Sequence, residues 1–124
     1  MTSKSFTQKL NPVEQKVHEQ FVWCGKHAKE WTEQCKWLLL EVEEMEIWKK
    51  LGFECVYHYA AALAGMSRYA AEDALWILRK LEDKPLLREV AKEKGLAAVR
   101  PVLTVVTKET EEFWAEKART MTKN

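Results

Sequence analysis

The sequence predicts a small all-α protein, and composition and apolar spacing carry that prediction. The chain has 124 residues, 47% hydrophobic and 10% aromatic, which is enough apolar material for one folded core without disulfides or metal ions. It holds only 4 glycines and 3 prolines, fewer turn residues than a protein of many short strands needs. Its apolar residues instead recur at alternating steps of three and four, the spacing of one helix face.

The first predicted element is one long helix over residues 12–50, preceded by a frayed N-terminus of residues 1–11. Asn11 has the side chain of an N-cap, and Pro12 suits the first helical position because its missing N–H is not needed there. Glu14 completes a capping box with Asn11. We therefore expect the helix to begin at residue 12.

Two apolar stripes run along this helix, and they differ in length. The first consists of Phe21, Cys24, Ala28, Trp31, Cys35, Leu38, Val42 and Met45. The second appears only in the C-terminal half and consists of Trp37, Leu40, Ile47 and Leu51. We therefore expect that half to lie deeper in the fold. Gly25 weakens a helix by about 1 kcal/mol relative to alanine, so a break near this residue is an alternative to a continuous helix.

Four to five short helices are predicted to follow, over about residues 53–121. Gly65 ends one of them as a left-handed C-cap, and Ser67 begins the next as its N-cap. Thr107 is predicted to cap the last helix, whose inward residues would be Phe113, Trp114, Ala118 and Met121. Residues 12–124 are thus predicted to form a single helical domain.

The glycine corner between two short helices is typical of a helix-turn-helix, here over about residues 55–81. The second helix of such a unit presents its first turn to the major groove of DNA. We therefore predict that Ser67, Arg68 and Tyr69 approach duplex DNA. The residues predicted to contact the phosphate backbone are Arg79, Lys84, Arg88 and Arg100.

The alternative interpretation of the same corner is an ordinary turn in a helical bundle. Glu72 and Asp73 favour it, because carboxylates close to Arg68 repel phosphates. The 20 basic and 19 acidic residues give a formal net charge of +1. The charge of the whole chain therefore neither supports nor excludes a nucleic acid.

No catalytic motif is found in the sequence: there is no glycine-rich phosphate loop, no Gly-x-Ser-x-Gly and no His-Glu-x-x-His. Cys24 with His27, and Cys55 with His58, have Cys-x-x-His spacing that puts two zinc ligands on one helix face. The distance between the two pairs is not that of a zinc finger, and Cys24 already belongs to the apolar stripe. We therefore predict a protein without catalytic residues, cofactor or metal.

Location and a second function class follow from the same features. An odd number of cysteines fits a reducing compartment, and no apolar run approaches the roughly twenty residues that span a bilayer. We expect a cytoplasmic protein without a membrane partner. The long helix with its tryptophans predicts, as the alternative to DNA binding, a protein-interaction or dimerisation module, since an exposed apolar stripe needs cover.

From about residue 38 onward the chain resembles the helical region upstream of the nuclease motif in bacterial HNH endonuclease-like proteins. The segments that carry the resemblance are 39–42 (LLEV), 48–53 (WKKLGF), 57–60 (YHYA), 63–67 (LAGMS), 70–71 (AA), 78–81 (LRKL), 85–86 (PL), 95–96 (GL), 99–104 (VRPVLT), 107–109 (TKE) and 113–114 (FW). A looser resemblance joins the Gly65 corner and the stretch from Leu78 to Pro85 to the helix-turn-helix of ParB-type partition proteins. Both resemblances imply DNA as the partner. The His-Asn-His metal centre of the endonucleases has no counterpart in these residues, so we expect no hydrolysis by this chain, although a longer parent protein with that centre would be a nuclease.

Overall fold

The computed structural model describes residues 9–121, and all of its regular elements in that range are helical. The predicted all-α class is therefore confirmed. Residues 1–8 of the predicted frayed terminus lie outside the described residues. In chain order the elements are α1 (Pro12–Glu44), α2 (Ile47–Lys50), α3 (Val56–Ala64), α4 (Arg68–Lys80), α5 (Pro85–Lys94), α6 (Leu96–Val99), a 3-10 turn (Arg100–Val102) and α7 (Glu111–Met121).

The chain divides into two compact units, Met1–Thr32 and Glu33–Asn124. The division falls within α1, whereas the sequence predicts one domain from residue 12 onward, with the long helix giving way to the bundle near residue 50. The described part of the first unit consists almost entirely of helix. The second unit contains the last turns of α1 and all the shorter helices.

Helix α1 begins as predicted. The backbone N–H of Glu14 donates to Asn11 Oδ1 (2.8 Å), and the N–H of Asn11 donates to Glu14 Oε1 (3.1 Å), which makes a reciprocal capping box. The helix is continuous through Gly25, so the predicted alternative of a break there is wrong. One glycine costs about 1 kcal/mol, which the helical residues on both sides of it offset.

The predicted end of the long helix near residue 50 is wrong, because α1 ends at Glu44. Glu46 has a left-handed backbone (φ 55°, ψ 36°), and this conformation separates α1 from the short helix α2. Such a backbone costs a residue other than glycine about 1–2 kcal/mol. Trp48 of α2 packs against the core cluster, and this packing offsets the cost. Neither glycine nor proline immediately precedes this break between α1 and α2, so the sequence contains no signal for it.

The core of the second unit lies between α4, α5 and the segments that follow. Its largest fully buried side chains are Leu75, Leu78, Leu81, Leu87, Val90 and Val99. Helix α5 packs against both α6 and α7, and α3 packs against α4. On the inner side of α4, Ala74, Ile77 and Leu78 are buried, as is Leu81 just after the helix.

A buried glutamate caps α5 from a distant part of the chain. Lys84, the residue before α5, makes no side-chain cap hydrogen bond. Instead Glu111 Oε2 accepts hydrogen bonds from the backbone N–H groups of Leu86 (2.7 Å) and Leu87 (3.3 Å). Because the N-terminus of a helix carries unpaired donors and partial positive charge, it stabilises the carboxylate. This contact explains why Glu111 is buried.

Glu33 does the same for α6. Its Oε2 accepts from the N–H of Leu96 (2.8 Å) and lies 3.3 Å from Trp37 Nε1. Gly95, just before α6, has φ +100°, a conformation that L side chains rarely adopt. The first residue of the second unit therefore fixes the turn between α5 and α6.

The last helix begins later than predicted, and part of its predicted inward face is wrong. Thr107 does not cap it directly; its Oγ1 accepts from the N–H of Thr110 (3.3 Å), which makes a turn before α7. Ala118 is buried as predicted, but Phe113 and Met121 are more than half exposed. Ala115 takes their place in the core, because Ala115 and Ala118 face α5 on one side of the helix.

Candidate functional site

The corner between α3 and α4 is built as the sequence predicts. Gly65 has a left-handed backbone (φ 64°, ψ 24°), and its N–H donates to the carbonyl of Ala61 (3.1 Å), the bond of an αL C-cap. Ser67 Oγ accepts from the N–H of Ala70 (3.1 Å) and so caps α4. Corners of this kind occur in helical bundles as well as in helix-turn-helix units, so the helix-turn-helix assignment stays a prediction.

The first turn of α4 is open to solvent. Tyr69 is 72% exposed. Arg68 is exposed too, but its Nε lies 2.9 Å from Glu72 Oε2, and its guanidinium lies 4.5 Å from the centre of the Tyr57 ring. The hydrogen bond to Glu72 raises the pKa of Arg68 above its ordinary value. A phosphate would therefore have to compete with a carboxylate for this arginine.

Arg79 and Arg100, which are predicted to contact the phosphate backbone of DNA, are also paired with carboxylates. Arg79 forms an ion pair with Glu43 of α1. Arg100 donates from Nε to Asp73 Oδ1 (2.6 Å), and its Nη2 lies 2.6 Å from the same oxygen; the hydrogen bond raises the pKa of Arg100. Its guanidinium also lies 5.4 Å from the ring centre of Trp76. These contacts hold both arginines against the protein.

The remaining two predicted cations are partly covered. The side chain of Lys84 is 13% exposed, and its Nζ lies 2.9 Å from Asp83 Oδ1. The hydrogen bond from Lys84 lowers the pKa of Asp83. Arg88 is half-buried, with its guanidinium 5.5 Å from the ring centre of Trp37. The structure therefore does not gather the predicted DNA-binding residues into one uncompensated basic surface.

Helix α1 exposes a row of apolar side chains on one face. We name it the α1 stripe, and it consists of Val17, Phe21, Cys24, Ala28, Trp31, Cys35, Leu38 and Val42. Phe21 is 77% exposed, Trp31 60% and Leu38 56%, and only Val42 is half-buried. The steps between these residues alternate four and three without interruption. This is the a/d pattern of a coiled-coil helix over more than three heptads.

The second unit contains an apolar groove. This groove, of about 240 Å³, lies between the last turns of α1 and helix α3. Leu38 and Val42 line one wall, and Tyr59 and Leu63 line the other. Leu63 is mostly exposed. The sequence predicts the exposed stripe but not this groove, because the groove depends on how α3 packs beside the last turns of α1.

The two Cys-x-x-His pairs do not form a metal site. Within residues 9–121 no three His, Cys, Asp or Glu side chains lie close enough together to hold a metal ion. His27 Nδ1 lies 3.0 Å from the carbonyl of Trp23, and its ring lies between Trp23 and Trp31, with centroids 4.0 Å and 5.7 Å away. His58 Nδ1 lies 3.6 Å from a carboxylate oxygen of Glu54. These local contacts account for the positions of both histidines.

Comparison with known proteins gives no further assignment. No protein-family model, no curated protein and no solved structure matches the chain. Among the helices of residues 9–121, none combines the length and apolar character needed to cross a membrane.

Proposed function

We propose that this protein is a non-catalytic interaction module that associates with a second copy of itself through the α1 stripe. The observation that carries the proposal is the exposure of Phe21, Trp31 and Leu38 on one face of a continuous helix. Contiguous exposed apolar surface is costly in water and marks an interaction site. The heptad spacing specifies another helix as the covering surface.

A second copy is the occupant favoured by the charges beside the stripe. The residues that flank the stripe are Gln20, His27, Gln34 and Glu41 on one side and His18, Gly25, Thr32 and Leu39 on the other. Glu41 is the one carboxylate among them, and none is a lysine or an arginine. Identical helices therefore meet without rows of like charge, which would otherwise oppose self-association.

Sedimentation equilibrium of the full chain tests the proposal. We expect a monomer–dimer equilibrium for the wild-type protein and a dimer dissociation constant raised by at least ~100-fold in Trp31→Ala, because core tryptophan truncations cost about 3–5 kcal/mol. Trp23→Ala is the matched control. Trp23 is equally exposed on α1 but lies outside the stripe, so its dissociation constant should change little. A wild-type protein that stays monomeric at high concentration would refute self-association.

DNA binding is the second candidate function, and one observation favours it. The first turn of α4 carries Arg68 and Tyr69 at the surface, where the resemblance to the helical region of HNH endonuclease-like proteins also implies a duplex. The carboxylate partners of the arginines weaken this candidate, since each phosphate contact must replace an existing ion pair.

A mobility-shift titration against mixed duplexes at low salt tests DNA binding. If Arg68 and Arg79 contact phosphates, the double variant Arg68→Ala/Arg79→Ala lowers affinity and reduces the salt slope by about 2. Glu72→Gln is the informative partner variant, because it releases Arg68 from its ion pair and should raise affinity. Equal affinity of all three proteins would remove these residues from any DNA contact.

A further inference from the structure

We infer that two copies pair antiparallel along α1, with Ala28 of each copy opposite Trp31 of the other. This inference rests on the proposed self-association and specifies its geometry. The pairing is centred between Ala28 and Trp31, so the two helices are related by a two-fold axis at that point.

The register follows from matching the stripe with its own reverse. Phe21, Ala28, Cys35 and Val42 occupy the a positions of the stripe, and Val17, Cys24, Trp31 and Leu38 occupy the d positions. In an antiparallel pair each a residue shares a layer with a d residue of the other helix. With Ala28 opposite Trp31, the next layers outward on each side pair Cys24 with Cys35, Phe21 with Leu38, and Val17 with Val42. Each step of four on one helix then meets a step of four on the other, and each step of three meets a step of three, so all eight stripe residues are used.

Side-chain size favours this orientation. Antiparallel pairing puts the largest stripe residue, Trp31, against the smallest, Ala28, in both central layers. Parallel pairing in register would place Trp31 against Trp31 and leave Ala28 against Ala28. Layers of alternating large and small residues fill space at native density, whereas two tryptophans in one layer overpack and two alanines leave a void.

The residues that flank the stripe are compatible with antiparallel pairing. In an antiparallel pair the residues beside the stripe face their own type of heptad position on the other helix. This brings Gln20 near Glu41, and His27 near Gln34. No two like charges face each other in these contacts.

The apolar groove supplies a seat for one end of the partner helix. Because Phe21 of the second copy shares a layer with Leu38, its ring reaches the groove between α1 and α3. The opposite wall of that groove is formed by Tyr59 and Leu63. The inference therefore explains why Leu63 of α3 is exposed beside the stripe.

Disulfide trapping of the full chain distinguishes the two orientations. Cys55→Ser serves as the background, since Cys55 precedes α3 as its N-cap, a position that serine suits. In the antiparallel register Cys24 of one copy faces Cys35 of the other, so a mild thiol oxidant such as diamide converts the two thiols to one disulfide. Adding Cys24→Ser or Cys35→Ser should abolish the covalent dimer. An equimolar mixture of these two variants should restore it.

Each outcome has a defined meaning when sedimentation is run on the same samples. Cross-linking only in the background and in the mixture supports the antiparallel register. Cross-linking of each single-cysteine variant with itself indicates a parallel pair, and a dimer that never cross-links indicates another register; both overturn this inference and leave self-association intact. Monomers in sedimentation would overturn the inference and the proposed function together.

Discussion

The two parts of α1, residues 12–32 and residues 33–44, share one continuous helix and one apolar spacing, yet they differ in burial. Every buried residue of the helix lies in the second part, and these are Leu39 and Leu40. The stripe residues Phe21 and Trp31 of the first part are exposed. Apolar periodicity therefore shows which face of a helix is apolar. Whether that face is buried depends on whether another element of the chain packs against it.

The second part also shows that two neighbouring leucines have different roles. Leu39 is 3% exposed and belongs to the core of the second unit, whereas Leu38 belongs to the α1 stripe. One residue turns a helix by about 100°, so adjacent residues point to different surfaces. The longer stripe, which contains Leu38, is left mostly open, whereas Leu40 of the shorter stripe is buried and Leu51 of that stripe is exposed.

The largest expected effect comes from truncating one leucine of this pair. Leu39→Ala should lower the free energy of unfolding by about 2–5 kcal/mol, because it leaves a cavity in the core. Leu38→Ala, the matched control, should cost less than about 1 kcal/mol in the monomer. Urea unfolding followed by circular dichroism, at a concentration where sedimentation shows monomer, measures both. Equal losses would mean that the two leucines are not on different surfaces.

An intermediate effect is expected at the residue where the second part begins. Glu33→Ala removes the acceptor of the Leu96 N–H and should lower the free energy of unfolding by about 1–2 kcal/mol. Glu30→Ala changes an exposed glutamate one turn earlier on the same helix and serves as the control. Urea unfolding of the two variants side by side gives the difference, and a Glu33 variant as stable as the control would contradict the capping role.

The smallest effect is expected in the first part. Gly25 has no neighbouring atom within 4 Å of an added Cβ, so Gly25→Ala should stabilise the helix locally by up to about 1 kcal/mol. Amide hydrogen exchange of residues 12–32 should slow by up to about 5-fold. Lys29→Gly, an exposed site outside the stripe, should accelerate it. Unchanged exchange in both variants would show that the helix propensity of this region does not limit its opening.

The sequence predicted those features that depend on residues close together in the chain. The capping box of Asn11 and Glu14, the glycine corner at Gly65 and the Ser67 cap each need only three to five neighbouring residues, and all are confirmed. The expectation that the C-terminal half of the long helix lies deeper in the fold rested on a second apolar stripe, and it is confirmed because the buried residues of α1, Leu39 and Leu40, lie in that half.

Features that depend on distant partners were not predictable in the same way. The capping carboxylate of α5 lies 25 residues from the backbone N–H of Leu86 that it accepts from, and no local pattern connects them. The ion pairs that occupy Arg79 and Arg100 join residues of different elements. A candidate cation can be found from the sequence, but whether a carboxylate already holds it depends on tertiary packing.

The capping of α5 by Glu111 also bears on how the second unit folds. Since the first turn of α5 has no local side-chain cap, its N–H groups are hydrogen-bonded only when Glu111 at the start of α7 is in place. The N–H of Leu96 likewise depends on Glu33, which lies 63 residues earlier. These two carboxylates make the ends of the unit interdependent, so we expect its helices to melt in a single cooperative transition instead of one after another.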